Sequence, residues 1–128
     1  MALYRKACHG GDAIGCYNVG NALRDGVGAR KDVAAARRMF KKACDKGDPD
    51  GCYNLGVLLD YGRGGAPDDP AALRNYLKAC DLGESMGCNN AGIMFRNGEG
   101  VTRDRSRATK LFQKACAAGN QKACKNLR

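Results

Sequence analysis

This 128-residue chain has no tryptophan, a single histidine and only three prolines, and aromatic residues make up 6% of it. So few aromatics predict a core built mainly of small side chains. In a chain of this length such a core contributes little stability, so we expect further stabilisation from cross-links. One histidine supplies little for mixed Cys/His metal sites or a catalytic triad. No apolar run approaches the roughly 18 residues that span a bilayer, and no signal-peptide apolar region follows Met1. These shortages exclude a membrane span and a large multidomain enzyme.

Cysteine and glycine, in contrast, are abundant, and lysine and arginine give the chain a net charge of +9. The eight cysteines form two series with members 36 residues apart, namely Cys8, Cys44, Cys80 and Cys116, and Cys16, Cys52, Cys88 and Cys124. Glycines keep the same register at Gly20, Gly56 and Gly92. A fixed period across unrelated residue types indicates a repeat protein.

The register divides the chain into a half repeat at 1–14, complete repeats at 15–50, 51–86 and 87–122, and a terminal part-repeat at 123–128. We assign all of them to one domain, because a repeat of this kind buries its apolar face only against its neighbours. The chain begins inside a helix of this register. We interpret it as a fragment of a longer precursor whose signal peptide and first repeats are missing, with a natural short N-terminal cap as the alternative.

Each repeat has the pattern of two helices. Helix A spans roughly 52–62 in the second complete repeat and ends at Gly62, since glycine accepts a positive φ at low cost. Helix B runs from an acidic N-cap to about Asp81. The N-cap position is acidic in all three repeats, at Asp32, Asp68 and Asp104. A helical hairpin repeated in register predicts an all-α fold, an α-solenoid.

The cysteine pairs lie at the junction between helix B and the following helix A. Antiparallel helices joined by a tight turn bring such positions together. The favoured bridges are Cys8–Cys16, Cys44–Cys52, Cys80–Cys88 and Cys116–Cys124. Closing a loop of about nine residues contributes roughly 2–3 kcal/mol per bridge. Buried free thiols and metal binding are the alternatives, although the chain has no short Cys-x2-4-Cys knuckle of the kind structural zinc sites favour.

Motifs around the cysteines carry a family resemblance. They are Ala43-Cys44-Asp45-Lys46-Gly47-Asp48, Gly51-Cys52-Tyr53-Asn54-Leu55-Gly56, and Gly98-Glu99-Gly100-Val101 followed by Asp104. These motifs resemble the Sel-one-like repeat (SLR) family, whose period they match, whereas the related tetratricopeptide repeats use about 34 residues. The paired cysteines resemble its cysteine-rich branch, first known as Helicobacter cysteine-rich proteins. The resemblance covers essentially the whole chain.

The resemblance implies a right-handed α-solenoid of bridged hairpins that is secreted or periplasmic, with the mitochondrial intermembrane space as an alternative. Family members mostly serve as adaptors and scaffolds, so we expect a non-catalytic protein–protein interaction role without a cofactor. Some cysteine-rich members are described as penicillin-binding with weak β-lactamase activity, and others act as immunity or host-interaction factors. A penicillin-binding envelope protein and a periplasmic immunity or host-interaction factor are therefore the alternatives.

Candidate catalytic residues are few. A serine β-lactamase needs a lysine three residues after its nucleophile, and neither Ser85 nor Ser106 meets this requirement. A catalytic triad would have to use His9, which lies in the N-terminal half repeat, far along the solenoid from either serine. We therefore predict no catalytic site and no metal site.

A helical wheel of helix A predicts a binding groove opposite the face that carries Cys52 and Leu55. The A helices of a solenoid line its concave surface. The candidate groove residues are Asn18, Asn54, Asn90, Asn126, Leu58, Tyr61 and Met94. Asparagine amides suit the backbone of an extended peptide, and the apolar members suit its side chains. The alternative is that the asparagines support the repeat interface and that Leu58 and Met94 pack between A helices.

Helix B carries a basic ladder. Its members are Lys6, Lys42, Lys78 and Lys114, with Arg38, Arg74 and Lys110 one turn earlier. Such a stripe attracts an anionic envelope polymer or an acidic protein, and the alternative is a solvated face that maintains solubility. Nucleic acid is not expected, because the chain has no recognition motif and few aromatics interleave with the basic residues. We expect a monomer that binds a protein or an extended peptide.

Overall fold

The structure, a computed structural model, describes Cys8 and residues 12–128, and all regular structure in this part of the chain is helical. The helices are α1 (Ala13–Asp25), α2 (Val33–Asp45), α3 (Pro49–Tyr61), α4 (Asp69–Asp81), α5 (Ser85–Asn97), α6 (Arg105–Ala117) and α7 (Gln121–Asn126). Odd-numbered helices are the A helices and even-numbered helices the B helices of the repeat. None of the seven is long and apolar enough to cross a membrane.

Packing follows the order of the sequence. Each described helix makes its main contacts with the helix before it and the helix after it. A chain of helical hairpins in which each unit contacts only its neighbours is an α-solenoid. This confirms the predicted all-α fold.

Side-chain caps determine where the helices begin. The carboxylates of Asp32, Asp68 and Asp104 each accept a backbone N–H three residues on at 3.0 Å, which confirms the predicted N-caps of the B helices. The predicted start of helix A near residue 52 is wrong by one turn. Helix α3 begins at Pro49, because Asp48 caps it and proline fits the first turn without losing a hydrogen bond.

Glycines allow the two helices of each hairpin to approach closely. A Cβ at Gly20, Gly56 or Gly92 would lie 2.6–2.7 Å from the aromatic ring of the B helix in the same repeat. These rings belong to Phe40, Tyr76 and Phe112, all of which are buried. Leu59 packs against both of the larger apolar clusters, so the core runs continuously from one repeat to the next.

The four cysteine pairs are bridged in the structure as the repeat predicts. The bridges join Cys8 to Cys16, Cys44 to Cys52, Cys80 to Cys88 and Cys116 to Cys124. All eight cysteines of the chain are thereby paired, with Cα atoms 4.3–4.7 Å apart. The first three bridges are buried, whereas Cys116 and Cys124 are partly exposed. Each bridge ties the end of one repeat to the start of the next.

Candidate interaction site

Two of the predicted groove residues are core residues. Leu58 is 1% exposed and Met94 2% exposed, so the expectation that their side chains lie on an open face is wrong. The helical wheel assumed one buried face per A helix. In the array, α3 packs against both α2 and α4, and burial extends further around the helix than a single interface would require. Tyr61, at the end of α3, is 73% exposed.

The predicted asparagine ladder divides into different environments. The guanidinium of Arg24 donates to Asn54 Oδ1 at 2.7 Å, which links α1 to α3. In the same way, Arg96 donates to Asn126 Oδ1 at 3.3 Å and links α5 to α7. These contacts favour the alternative interpretation for Asn54 and Asn126, that they support the repeat interface. Asn18 is exposed on α1.

The middle repeat lacks the arginine that makes this link. Position 60, equivalent to Arg24 and Arg96, is an aspartate. Its carboxylate accepts a hydrogen bond at 3.2 Å from the hydroxyl of Tyr76. Asn90, on the next A helix, is therefore not reached by a guanidinium from the preceding repeat.

The aromatic residue of the hairpin changes together with position 60. In the flanking repeats it is a phenylalanine, and the arginine lies over its ring, with 5.6 Å from Arg24 to the Phe40 centroid and 5.7 Å from Arg96 to the Phe112 centroid. In the middle repeat the aromatic residue is Tyr76, whose hydroxyl supplies a donor for a carboxylate. The pair has thus changed from a cation–π contact to a hydrogen bond.

A pocket of about 180 Å³ lies beside this altered position. Its lining residues are Asp60, Tyr61, Asn90, Ile93, Met94 and Glu99, and we call it the A-face pocket. The A helices α3 and α5 contribute all of them except Glu99, which lies in the turn after α5. Of the predicted groove residues, Tyr61, Asn90 and Met94 line it, although Met94 presents little surface.

The A-face pocket is acidic. One carboxylate oxygen from each of Asp60, Asp69 and Glu99 lies within 4.8 Å of the other two, and all three residues are partly buried. Burial raises the pKa of Asp60, the Tyr76 hydrogen bond opposes this, and the neighbouring Asp69 raises the pKa further. Carboxylates held this close attract a cation, either a hard metal ion or a basic side chain.

This acidic group was not among the predicted site residues, although the repeat register contains a signal for it. Position 60 is arginine in the flanking repeats. The positions equivalent to Asp69 are Val33 and Arg105, and those equivalent to Glu99 are Val27 and Arg63. The charge at these three positions thus distinguishes the interface between the second and third complete repeats in the sequence itself.

The residues considered for catalysis remain apart from this pocket. Ser85 is partly buried at the start of α5 and Ser106 is exposed near the start of α6. His9 lies outside the described residues, as does Lys6 of the basic ladder. An activated nucleophile needs a base within hydrogen-bonding distance, and neither serine side chain forms such a bond within the described part of the chain.

Helical hairpins in register, bridged between successive repeats, define a cysteine-bridged α-solenoid of the scaffold type. The Sel1 repeat model matches residues 13–48, 49–84 and 85–120. The chain therefore belongs to the Sel1 repeat family, and its bridges assign it to the cysteine-rich branch. Sel1-repeat proteins are generally non-catalytic scaffolds. A comparison with curated proteins gives no match.

Solved structures of the same family are similar along almost the whole chain. A protective antigen of uropathogenic Escherichia coli with an SLR fold is 32% identical, with a TM-score of 0.94 over 99% of this chain and 27% of its own. A Sel1 repeat protein from Oxalobacter formigenes is 28% identical, with a TM-score of 0.88 over 97% and 51%. Helicobacter pylori cysteine rich protein B is 30% identical, with a TM-score of 0.76 over 98% and 90%. The chain thus spans about a quarter and about a half of the first two proteins.

Proposed function

We propose that the chain is a protein–protein interaction scaffold that binds an extended segment of a partner at the A-face pocket. The observation that carries this proposal is the exposed Tyr61 beside a pocket that opens where Asp60 replaces the repeating arginine. The scaffold fold of the family is consistent with such a role. Fold alone does not specify a site, whereas the chemistry of these residues does.

The pocket offers three complementary contacts to a peptide. Asp60 and Glu99 provide carboxylates for a lysine or arginine side chain, and the partial burial of both carboxylates strengthens such a pair relative to bulk water. The Asn90 amide can both donate to and accept from a peptide backbone. The ring of Tyr61 provides an exposed surface for an apolar or cationic group. We therefore propose a partner segment with a basic residue at the pocket.

An oxidising compartment is part of the same proposal. Four bridges formed by all eight cysteines are typical of secreted or periplasmic proteins and uncommon in the cytosol. The similarity to Helicobacter pylori cysteine rich protein B supports this location. A site with thiolate ligands for a metal is not part of the proposal, because all eight cysteines are held in bridges.

A host-interaction factor is the second candidate, because one of the similar structures is that of a protective antigen. It differs from the first candidate only in the source of the partner protein. The penicillin-binding alternative is supported by no described residue, since neither serine is placed beside a base.

Photo-crosslinking from position 61 tests the proposal. Tyr61 is replaced by p-benzoylphenylalanine, which keeps an aromatic group there, and the oxidised protein is irradiated in an extract of its own source. The control carries the same crosslinker at Leu82, which is exposed at the other end of the hairpin, after α4. We expect a defined protein product from position 61 that the Leu82 control does not form.

A variant that restores the repeat pattern adds a second test. The double substitution Asp60→Arg with Tyr76→Phe recreates the arginine–phenylalanine pair of the flanking repeats, and we therefore expect the fold to be retained. The restored arginine covers Asn90, and the crosslinked product should be lost. A product that forms equally from both positions, or that persists in the double variant, would contradict binding at the A-face pocket.

A further inference from the structure

A second cleft lies on the opposite layer of the solenoid, among the B helices. It has a volume of about 470 Å³ and is bounded by α2 and α4, with α3 at its base. Its lining residues are Arg37, Arg38, Lys41, Asp45, Leu55, Leu59, Ala71, Arg74 and Asn75, and we call it the B-helix cleft. Clefts of about 300–1,000 Å³ are typical of sites that bind small ligands or side chains. It shares no residue with the A-face pocket.

The same positions in the following repeat hold larger side chains. Ala71 is replaced by Arg107, whose guanidinium lies 4.7 Å from the centre of the Phe95 ring. Phe95 replaces Leu59 and is buried. Leu111 replaces Asn75 and packs against the core. Within the described residues, the B-helix cleft thus lies at the interface between the first two complete repeats, where small side chains leave space.

The cleft combines a basic rim with an apolar base. Two ion pairs form within the described residues, Arg24 with Asp25 and Lys41 with Asp45. Arg38 and Arg74, both exposed, therefore border the cleft without a carboxylate partner in that part of the chain. The base is formed by the leucine side chains of α3 at positions 55 and 59.

Two further polar residues limit what can occupy the cleft. Arg37 is not counted as a ligand-binding residue, because its guanidinium already donates to the carbonyl oxygens of Leu58, Arg63 and Ala66. Asn75 donates to the Ala71 carbonyl at 2.8 Å, and its Oδ1 lies 3.6 Å from Cys44 Sγ, which is bridged and has no hydrogen to donate. That oxygen remains free to accept a backbone N–H from a ligand.

We propose that the B-helix cleft binds an acidic peptide segment in which glutamate or aspartate residues flank a leucine or an aromatic residue. Guanidinium groups bind carboxylates through paired hydrogen bonds, so Arg38 and Arg74 hold the acidic residues. The apolar side chain between them lies on Leu55 and Leu59, and Asn75 accepts from the peptide backbone. A purely anionic polymer would use the rim but not the base.

Fluorescence anisotropy with defined peptides tests this site. The probe is fluorescein-labelled Glu-Leu-Glu-Phe-Glu-Leu-Glu, titrated with the oxidised chain at about 150 mM salt, where long-range attraction is largely screened. The comparison peptides replace every glutamate with lysine, or every apolar residue with serine. We expect saturable binding of the acidic apolar probe, weaker binding of the serine peptide and none of the lysine peptide.

Three double variants separate the contributions of shape and charge. Leu59→Phe with Asn75→Leu fills the cleft with the next repeat's own residues and leaves the charge unchanged. Arg38→Gln with Arg74→Gln removes the rim charges. Lys42→Gln with Lys78→Gln removes the same charge from the same two helices, one turn after Arg38 and Arg74, at residues that do not line the cleft. We expect about tenfold or greater weakening from the first two variants, and less than about threefold from the third.

The possible results distinguish this site from a diffuse basic surface. Equal weakening by the Arg38/Arg74 and Lys42/Lys78 variants would overturn the proposal. So would equal binding of the acidic apolar and serine peptides, or stronger binding of inorganic polyphosphate that the cleft-filling variant leaves unchanged. Absence of saturable binding by the acidic apolar probe would also overturn it. Circular dichroism checks each fold, and the arginine variant remains decisive if the cleft-filling variant does not fold. These results are independent of crosslinking at Tyr61.

Discussion

At the scale of single residues, position 60 changes the interaction surface from one repeat to the next. Arginine at this position bonds an asparagine of the next repeat, as Arg24 does with Asn54. Aspartate cannot form that bond, and Asn90 then lines a pocket. The repeat register predicted the asparagine positions from the sequence. It could not predict their different roles, because each role depends on a side chain about 30 residues earlier in the chain.

The pH dependence of stability tests the environment of Asp60. Burial raises the pKa of Asp60, so its charged form is disfavoured in the folded chain. Its contribution to stability is therefore complete below the unfolded pKa of about 3.9 and is lost as the pH rises through the raised folded value. Asp60→Asn removes the ionisable group, so stability is no longer lost at this position as the pH rises. The amide Oδ1 of the asparagine can still accept the hydrogen bond from the Tyr76 hydroxyl. We expect Asp60→Asn to be more stable than the parent chain at neutral pH.

The comparison is made by urea unfolding at neutral pH and at about pH 3, roughly one unit below the unfolded pKa, where most of the Asp60 charge is neutralised in both states. The stability difference between variant and parent should shrink on acidification. Asp81→Asn, at an exposed site, is the control and should change stability little at either pH. A difference that grows on acidification would be inconsistent with a disfavoured charge at Asp60.

A double-mutant cycle tests the close approach of helices at Gly92. A Cβ there would lie 2.6 Å from Phe112, so Gly92→Ala forces a buried ring to move and should cost about 1–3 kcal/mol. Phe112→Leu shortens that side chain and relieves the clash. In the double variant, the loss of unfolding free energy should be smaller than the sum of the single losses by at least about 0.5 kcal/mol. Additive losses of unfolding free energy would show that the Phe112 ring does not restrict the size of the residue at position 92.

At the scale of elements, the helices and bridges follow rules that are visible in the sequence. The acidic N-caps of the B helices and the glycine after α3 were predicted because capping depends on residues only a few positions apart. The start of α3 was not, because Asp48 and Pro49 also match a turn. The burial of Leu58 and Met94 was the alternative to an open groove, and the sequence could not decide between the two because burial depends on which helices contact the A helix.

Removal of an internal and of a terminal bridge should have different effects. Replacing Cys80 and Cys88 with alanine removes a buried bridge between two complete repeats, and we expect unfolding free energy to fall by roughly 2–3 kcal/mol. Replacing Cys116 and Cys124 releases α7, which has six residues and buries only Ala123. We expect that variant to lose protection mainly in α7.

Hydrogen exchange followed by mass spectrometry, together with denaturant unfolding, measures both effects. The loops closed by the two bridges have the same length, so the chain-entropy contribution is matched. Faster exchange throughout the chain on loss of the terminal bridge would contradict the prediction that this bridge stabilises mainly α7. So would faster exchange confined to one turn on loss of the internal bridge.

At the scale of the whole molecule, one period determines the fold. Cysteines 36 residues apart predicted the hairpins, their bridges and the solenoid, since these depend on a pattern that the whole chain repeats. The two candidate sites arise where the repeats differ. The B-helix cleft opens because Leu59, Ala71 and Asn75 are each smaller than their counterparts in the next repeat. No local rule in the sequence predicts a space formed by three helices together.

We infer that bridges between neighbouring repeats stabilise this solenoid and that the protein resides in an oxidising compartment. Mapping the cysteine pairs of the protein isolated from its own source is the most direct test of this inference. Free thiols are alkylated at the moment of lysis, and the protein is digested without reduction and mapped by mass spectrometry. We expect four bridged peptide pairs, Cys8–Cys16, Cys44–Cys52, Cys80–Cys88 and Cys116–Cys124, and no alkylated cysteine. Alkylation of most cysteines would contradict the oxidising compartment, and bridges between other pairs would contradict the proposed role of the disulfides.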